Sequence, residues 1–326
     1  MNKKQMLNNL KVGDEVETQA VILELNRAAF TTPQRSGEYF LRLTLGDVSG
    51  RVKAVMWEPP VGEDAVQQDD VVFVRGTVNE YHGLQVVVSD LRRLDPAKVN
   101  RAFFQPVSMR NLDEMVSELQ AVLEEEIKNK TLKALLQGFF SDSLFLRQFS
   151  LAPAARTIHH NCVGGLLEHT LEVVTICRQL ADLHPQQINR DLLLAGALLH
   201  DIGKLEEYRQ DSLSFEFSDR GKLVGHISIG KELLDQKLAT LPDFPEQLKL
   251  ELQHMMLTHH GQRDWGSPEV PKTINAFALY YADLVSARMN QFSGIMKNHQ
   301  IGSGDWTEWD RFLERSIYMG SVGGEK

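Results

Sequence analysis

Between Val16 and Leu94 apolar residues recur at every second position, and beyond Asp95 the period lengthens to that of helices. Leu41, Leu43 and Leu45 alternate with Arg42 and Thr44, and Val52, Ala54 and Met56 alternate with Arg51 and Lys53. Successive strand residues leave opposite faces, so such runs bury one face each. Residues 16–25, 71–78 and 84–91 supply three more β-rich runs, the last two joined by Asn79-Glu80-Tyr81-His82-Gly83, a hairpin signal. Farther on, Asn111 or Asp113 can cap a helix running through Lys128, with Leu112, Met115, Val116, Leu119, Val122, Leu123 and Ile127 on one side. A second helix is predicted over 131–140, and the acidic run Glu124-Glu125-Glu126 reads as a solvated face. Residues 192–199 are apolar all round, which marks a buried helix, and His200-Asp201 stand at its end.

Five strands with one longer polar gap after the third fit a small closed barrel of the OB type. The expected architecture is therefore multidomain α+β: a five-stranded OB-type β-barrel over 1–96, a helical connector over 97–150 and an all-α domain over 151–326. At 326 residues with 42% hydrophobic and 24% charged residues, the chain has the composition of a soluble protein. No apolar run approaches the ~20 residues of a membrane span. Cys162 and Cys177 suit small core positions rather than a disulfide framework, which points to a reducing, cytoplasmic setting. The net charge of −9 argues against non-specific coating of nucleic acid. Residues 1–100 carry 12 basic against 14 acidic side chains, −2, leaving −7 for the rest, so the N-terminal part is the better holder of phosphates.

Small barrels of this type bind oligonucleotides through strands two and three and the adjoining loops. The first such loop, residues 26–37, carries Arg27, Phe30 and Arg35; the turn after the fourth strand carries Tyr81 and His82. Phe40, Arg42, Lys53 and Trp57 lie on the middle strands. Aromatic and basic side chains interleaved in this way suit base stacking and phosphate contact, and make Arg27, Phe30, Phe40, Arg42, Lys53, Trp57 and Tyr81 the candidate nucleic-acid contacts. As large apolar rings, Phe40 and Trp57 suit the barrel interior equally well.

Two polar groups at the end of a buried helix need partners, since an unsatisfied one costs several kcal/mol. A metal ion serves both, and His169, His226, His259, His260 and Asp283 offer further ligands on separate helices. Their neighbours one turn away are apolar: Leu166 and Val173 around His169, Leu223, Ile229 and Leu233 around His226, Leu279 and Ala287 around Asp283. One inward histidine is ordinarily a satisfied core residue; this many, with two inward carboxylates, are not independent accidents. Imidazole and carboxylate without thiolate suit Mn²⁺, Fe, Co²⁺, Ni²⁺ or Zn²⁺, and the count exceeds the needs of one open mononuclear site. His254, a turn and a half before His259, is a further candidate and the weakest.

His169, His200-Asp201 and Asp283 resemble the H…HD…D pattern of the HD superfamily of metal-dependent phosphohydrolases. Gly225-His226 and His259-His260 resemble its two-metal members. More narrowly HHNCVGGLLEHT, LLLAGALLHDIGK, GKLVGHISIG, LTHHG and GSPEVPKT, behind a five-stranded barrel, resemble the YhaM family of 3′–5′ exoribonucleases. The resemblance implies a phosphodiesterase, supported by Mn²⁺ and with two ions, that shortens single-stranded RNA, and sometimes DNA, from the 3′ end. Release of nucleoside 5′-monophosphates is the expected outcome. The expected ligands are His169, His200, Asp201, His226, His259, His260 and Asp283, with Asp201 as the bridge. Lys204 is placed to neutralise a phosphate oxygen, unless it is a solvated helix-end lysine. His160 is the candidate proton donor, beside His159, with a structural role equally open for both. Glu168 is a candidate partner of His169. A phosphohydrolase of small or cyclic nucleotides with a regulatory barrel is the competing reading, and a homo-oligomer is compatible with either.

Overall fold

A computed structural model of the chain describes residues 5–30, 33–35, 37–60, 62, 65–95, 99, 103–105, 108–155, 161–209, 215–298 and 305–320. Residues 156–160, and with them His159 and His160, lie outside the described residues. The chain forms two compact units, one of residues 1–107 with 211–216, the other of 108–210 with 217–326.

The first unit is a closed barrel of β1 (Glu15–Ala29), β2 (Tyr39–Asp47), β3 (Gly50–Met56), β4 (Val71–Glu80) and β5 (Leu84–Arg93), in the order β1-β2-β3-β5-β4. All pairings are antiparallel except β3 with β5, where Lys53 lies opposite Gln85 and Val55 opposite Val87. The alternation predicted its interior: Leu41, Leu43, Leu45, Val52, Ala54 and Met56 are buried together with residues of the other strands. Leu41 pairs with Met56 and Leu45 with Val52, so the register superimposes the apolar sets of β2 and β3 on one face. β1 is longer than expected and carries Arg27 on a strand rather than in a loop, paired with Leu41. The polar stretch that follows it does not end the strand because cross-strand pairing with β2 continues to Ala29.

The second unit is helical. It comprises α1 (Leu112–Ala121), α2 (Lys130–Phe140), α3 (Ser143–Leu151), α4 (Gly165–Leu183), α5 (Arg190–Leu199), α6 (Lys204–Glu207), α7 (Asp219–Val224), α8 (His226–Leu238), α9 (Glu246–Thr258) and α10 (Ile274–Asn298). Asn111 caps α1, its side chain accepting from the backbone N–H groups of Asp113 and Glu114; Asn129, Asp142 and Asn189 cap α2, α3 and α5 in the same way. Residues 192–199 are all buried, and α5 packs against α2, α4, α9 and α10 at the middle of one continuous core. Helices α1–α3, from the segment expected to connect two domains, contribute Met115, Leu119, Leu135, Leu136 and Phe149 to that core. Cys177 is buried in it and Cys162 is half-buried.

Three local expectations change. The helix predicted through Lys128 ends at Ala121 and passes into a wider π turn, Val122–Glu126. Glu126 is not part of a solvated face: it takes a two-pronged contact from Arg178 at 2.9 and 2.7 Å and a third bond from Arg190 at 2.9 Å. An acidic triplet reads as solvated only until its long-range cationic partners are known. His226, for its part, does not continue the helix of Leu223. Gly225, at φ +75°, ends α7 and starts α8, leaving Leu223 exposed while His226 turns inward.

Gly203, directly after the His200-Asp201-Ile202 turn, lets that turn lie against the start of α8. A Cβ there would come within 2.0 Å of the His226 carbonyl oxygen and 2.5 Å of the Gly230 nitrogen. Both are backbone atoms, so the elements must separate to admit it. Gly203→Ala is therefore expected to cost about 1–3 kcal/mol, the scale of an overpacked core, seen as a lower melting midpoint. An unchanged midpoint would contradict this close approach.

Candidate metal centre and nucleic-acid face

Five histidines and two aspartates converge in the helical unit from α4, α5, α8, α9 and α10 or the residues just beyond their ends. His169, His200 and Asp283 form one group, and His226, His259 and His260 a second, each with its potential ligand atoms within 4.8 Å of one another. Asp201 lies between them. Its Oδ2 is 3.3 Å from His200 Nε2 and 3.6 Å from His169 Nε2, while its Oδ1 is 3.6 Å from His259 Nε2 and 3.7 Å from His226 Nε2. Lys204, buried in the same turn, donates to Oδ2 at 2.6 Å.

Each imidazole is aimed by its outer nitrogen. Nδ1 of His200 faces the Ala197 carbonyl at 2.8 Å, that of His259 the Met256 carbonyl at 2.7 Å, and that of His260 the Trp265 carbonyl at 3.0 Å. Glu207 accepts from both the backbone N–H and Nδ1 of His226, at 2.9 and 2.8 Å. Ser286 Oγ meets Nδ1 of His169 at 2.9 Å and donates to Glu172 at 2.7 Å. With Nδ1 occupied, the Nε2 atoms turn inward, and two pairs of them approach to 3.3 Å: His169 with His200, and His226 with His260. Among the described residues, Asp201 Oδ1 and His259 Nε2 are buried without a hydrogen-bond partner. Nitrogen lone pairs facing one another, beside an orphaned carboxylate oxygen, are what a cation would satisfy.

The electrostatics agree with that donor set. Burial lowers His169 and His259 from the ordinary imidazole value, and burial together with His259 and His226 lowers His260 to about 3, so these rings are neutral with lone pairs available. Burial also works against a charged His200, but the Asp201 carboxylate outweighs it and raises this one ring. At Asp201 burial favours the protonated acid, yet the Lys204 ammonium and His200 prevail and hold the carboxyl well below its usual range. Asp283 is likewise held down, against burial, chiefly by His169, whose Nε2 lies 3.1 Å from its Oδ1. His254 stands apart, its Nε2 accepting from the Lys272 backbone N–H at 2.8 Å. A cavity of about 430 Å³ opens on both groups, with His259, His260, Asp283 and Lys204 in its wall.

On the barrel, Phe40 does not join the interior. Leu41 takes the inward position, and Phe40 packs outside it against Phe30 and Trp57, with ring centroids 5.1 and 4.8 Å away. Arg35 lies over the Phe30 ring at 3.7 Å, Arg42 over Phe40 at 5.4 Å and Arg27 over Tyr39 at 5.3 Å. Trp57 remains 45% exposed, which leaves a π face available. Exposed Lys53 is opposite Thr44 on the neighbouring strand, and Tyr81 is exposed on the β4–β5 turn against His82. Sequence reasoning did not find Glu207, Ser286 or Glu172 behind the imidazoles. Ser286 lies at i+3 from Asp283 on α10, a helical spacing that was the available signal.

A closed five-stranded barrel with a cationic aromatic face, together with a helical unit that gathers histidines around an HD pair, defines an OB–HD metal-dependent phosphohydrolase. Family models agree: the HD domain matches residues 166–288 and the OB-fold nucleic acid binding domain residues 16–94. Curated relatives named 3′–5′ exoribonuclease YhaM are similar over nearly the whole length. The protein from Listeria innocua is 32% identical over 308 residues, 92% of this chain and 93% of that protein. The one from Bacillus subtilis is 31% identical over 318 residues, 94% and 96% of the two chains. The chain belongs to the YhaM family of 3′–5′ exoribonucleases.

Partners that aim a ligand's outer nitrogen typically contribute ten- to a hundredfold to metal affinity. Ser286→Ala is accordingly expected to weaken binding of a divalent cation by about that factor, read by calorimetric titration of Mn²⁺, with little change in melting midpoint. Equal affinity in variant and parent would remove Ser286 from this role.

Proposed function

We propose that the chain hydrolyses single-stranded RNA from its 3′ end, with single-stranded DNA as a second substrate, and releases nucleoside 5′-monophosphates. The names of the relatives favour a polymer over small or cyclic nucleotides. In this reading His169, His200 and Asp283 hold one divalent cation, His226, His259 and His260 the other, and Asp201 serves both. Mn²⁺ is the expected ion, ahead of Fe, Co²⁺, Ni²⁺ and Zn²⁺. When bound, the pair supplies positive charge for the phosphate oxygens and lowers the pKa of water at the site. The observation that carries the reading is Asp201, whose two oxygens face the two separate ligand groups.

The chain's own residues do the rest. Lys204 fixes the orientation of the Asp201 carboxylate and presents its positive charge at the cavity wall, where the scissile phosphate is to be held. Water's oxygen joins phosphorus and releases one proton to solvent, the bond to the O3′ of the remaining strand breaks, and that oxygen takes a proton. His160, outside the described residues, stays the candidate donor. On the barrel, residues 1–96, we assign strand capture to Phe30, Phe40, Trp57 and Tyr81 with Arg27, Arg42 and Lys53. No helix among the described residues is long and apolar enough to cross a membrane, and a cytoplasmic setting completes the proposal.

Asp201→Ala is expected to lower Mn²⁺-supported shortening of a 5′-labelled single strand by about a thousandfold or more while oligonucleotide binding persists. Trp57→Ala is expected to do the reverse in kind, weakening oligonucleotide binding by about 1–3 kcal/mol, the value of one stacked base. An oligomer left intact by the parent protein with Mn²⁺, beside turnover of mononucleotides or cyclic dinucleotides, would sink the exonuclease reading.

A further inference from the structure

The cavity that opens on the ligand groups has lining residues that the phosphate chemistry leaves unused. Among them are Trp265, Tyr280, Arg288, Gln291 and Phe312. Two of the rings are half-exposed, Trp265 at 45% and Phe312 at 46%, although they border a concavity in which apolar surface is ordinarily covered. Arg288 donates to Gln291 Oε1 at 3.0 Å and lies over the Trp265 ring at 6.0 Å. Among the described residues no carboxylate lies within ion-pair distance of Arg288, unlike Arg178 and Arg190, which share Glu126. Gln291 is buried and points an amide nitrogen at Asp310, 3.4 Å away, in the segment that carries Phe312.

We infer that this cavity seats the 3′-terminal nucleoside of the strand, an inference that rests on the exonuclease reading above. About 430 Å³ is at the small end of ligand cavities, which run roughly 300–1,000 Å³, and suits one nucleoside rather than a length of strand. The terminal unit brings a flat π face, polar base edges and a hydroxylated sugar. The wall offers aromatic rings for the first, and an arginine without an acidic partner among the described residues, held by a buried amide, for the others. Position supports the same assignment. His259, His260, Asp283 and Lys204 share the cavity with these residues, so a nucleoside seated against Trp265 and Phe312 directs its 5′ phosphate towards the ligand groups. The segment that carries Phe312 thereby becomes a determinant of how the strand end is held, independently of capture by the barrel.

The test is calorimetric titration of uridine 5′-monophosphate into the full chain with Mn²⁺, with inorganic phosphate as the comparison. Phe312→Ala and Arg288→Ala are each expected to weaken the nucleotide between about fivefold and a hundredfold, and phosphate by much less. Phe312→Tyr keeps a ring and is expected to retain binding, which separates loss of stacking from loss of fold. The seat is overturned if the parent chain does not bind the nucleotide, if its affinity is unchanged in both alanine variants, or if phosphate weakens by the same factor. Failure of the exonuclease reading is a different result, a single-stranded oligonucleotide left intact by the parent protein.

Discussion

A carboxylate buried at the centre of a helical core is the constraint around which the second unit is arranged. Asp201 is almost fully buried and kept ionised, and a lone charge in such a place would cost a large part of the 5–15 kcal/mol by which a domain is stable. Lys204 offsets one negative charge at one oxygen, and the other oxygen is left without a hydrogen-bond partner among the described residues. The helices that surround it each bring an imidazole or a carboxylate to the same point. Stability and chemistry are in tension there, and the rest of the unit supplies the apolar burial that permits it.

The surrounding core is also what makes the centre precise. Imidazoles on flexible supports would scatter their Nε2 atoms, whereas here each outer nitrogen is tied to a carbonyl, a carboxylate or a hydroxyl. Three of those ties are to backbone oxygens within five residues: His200 and His259 bond back into the ends of their own helices, and His260 forward to Trp265 in the next turn. The other two depend on packing: Glu207 on α6 reaches His226 on α8, and Ser286 on α10 reaches His169 on α4, where Glu172 in turn accepts from it. Gly203 and Gly225 set the approach between the HD turn and α8 that this packing needs.

Much of this was legible along the chain, because burial leaves a periodic trace. Alternation over 41–45 and 52–56 identified the inner face of the barrel, and the apolar run 192–199 identified the central helix. Asp283 stood out because a charged residue between Leu279 and Ala287 contradicts its helical neighbours. Where the period misled, a local device intervened. His226 follows a glycine that restarts the helix, and Glu126 is held by arginines 52 and 64 residues away. Phe40 has the opposite parity to Leu41, Leu43 and Leu45, so the same alternation turns it away from the interior, and the register with β3 agrees, with Leu41 facing Met56 inside.

By itself, then, the sequence determined which residues are polar where they should be apolar, and that a β-rich part precedes a helical one. It determined this because one-dimensional periodicity reports whether a side chain is buried. The tertiary structure alone decided how the five histidines and Asp283 divide into two groups of three potential ligands about Asp201, and which partners aim the imidazoles. It alone placed Arg288, Gln291 and Phe312 beside the same cavity. Groupings of that kind depend on distances between helices remote in sequence, and no local pattern of hydrophobicity carries them.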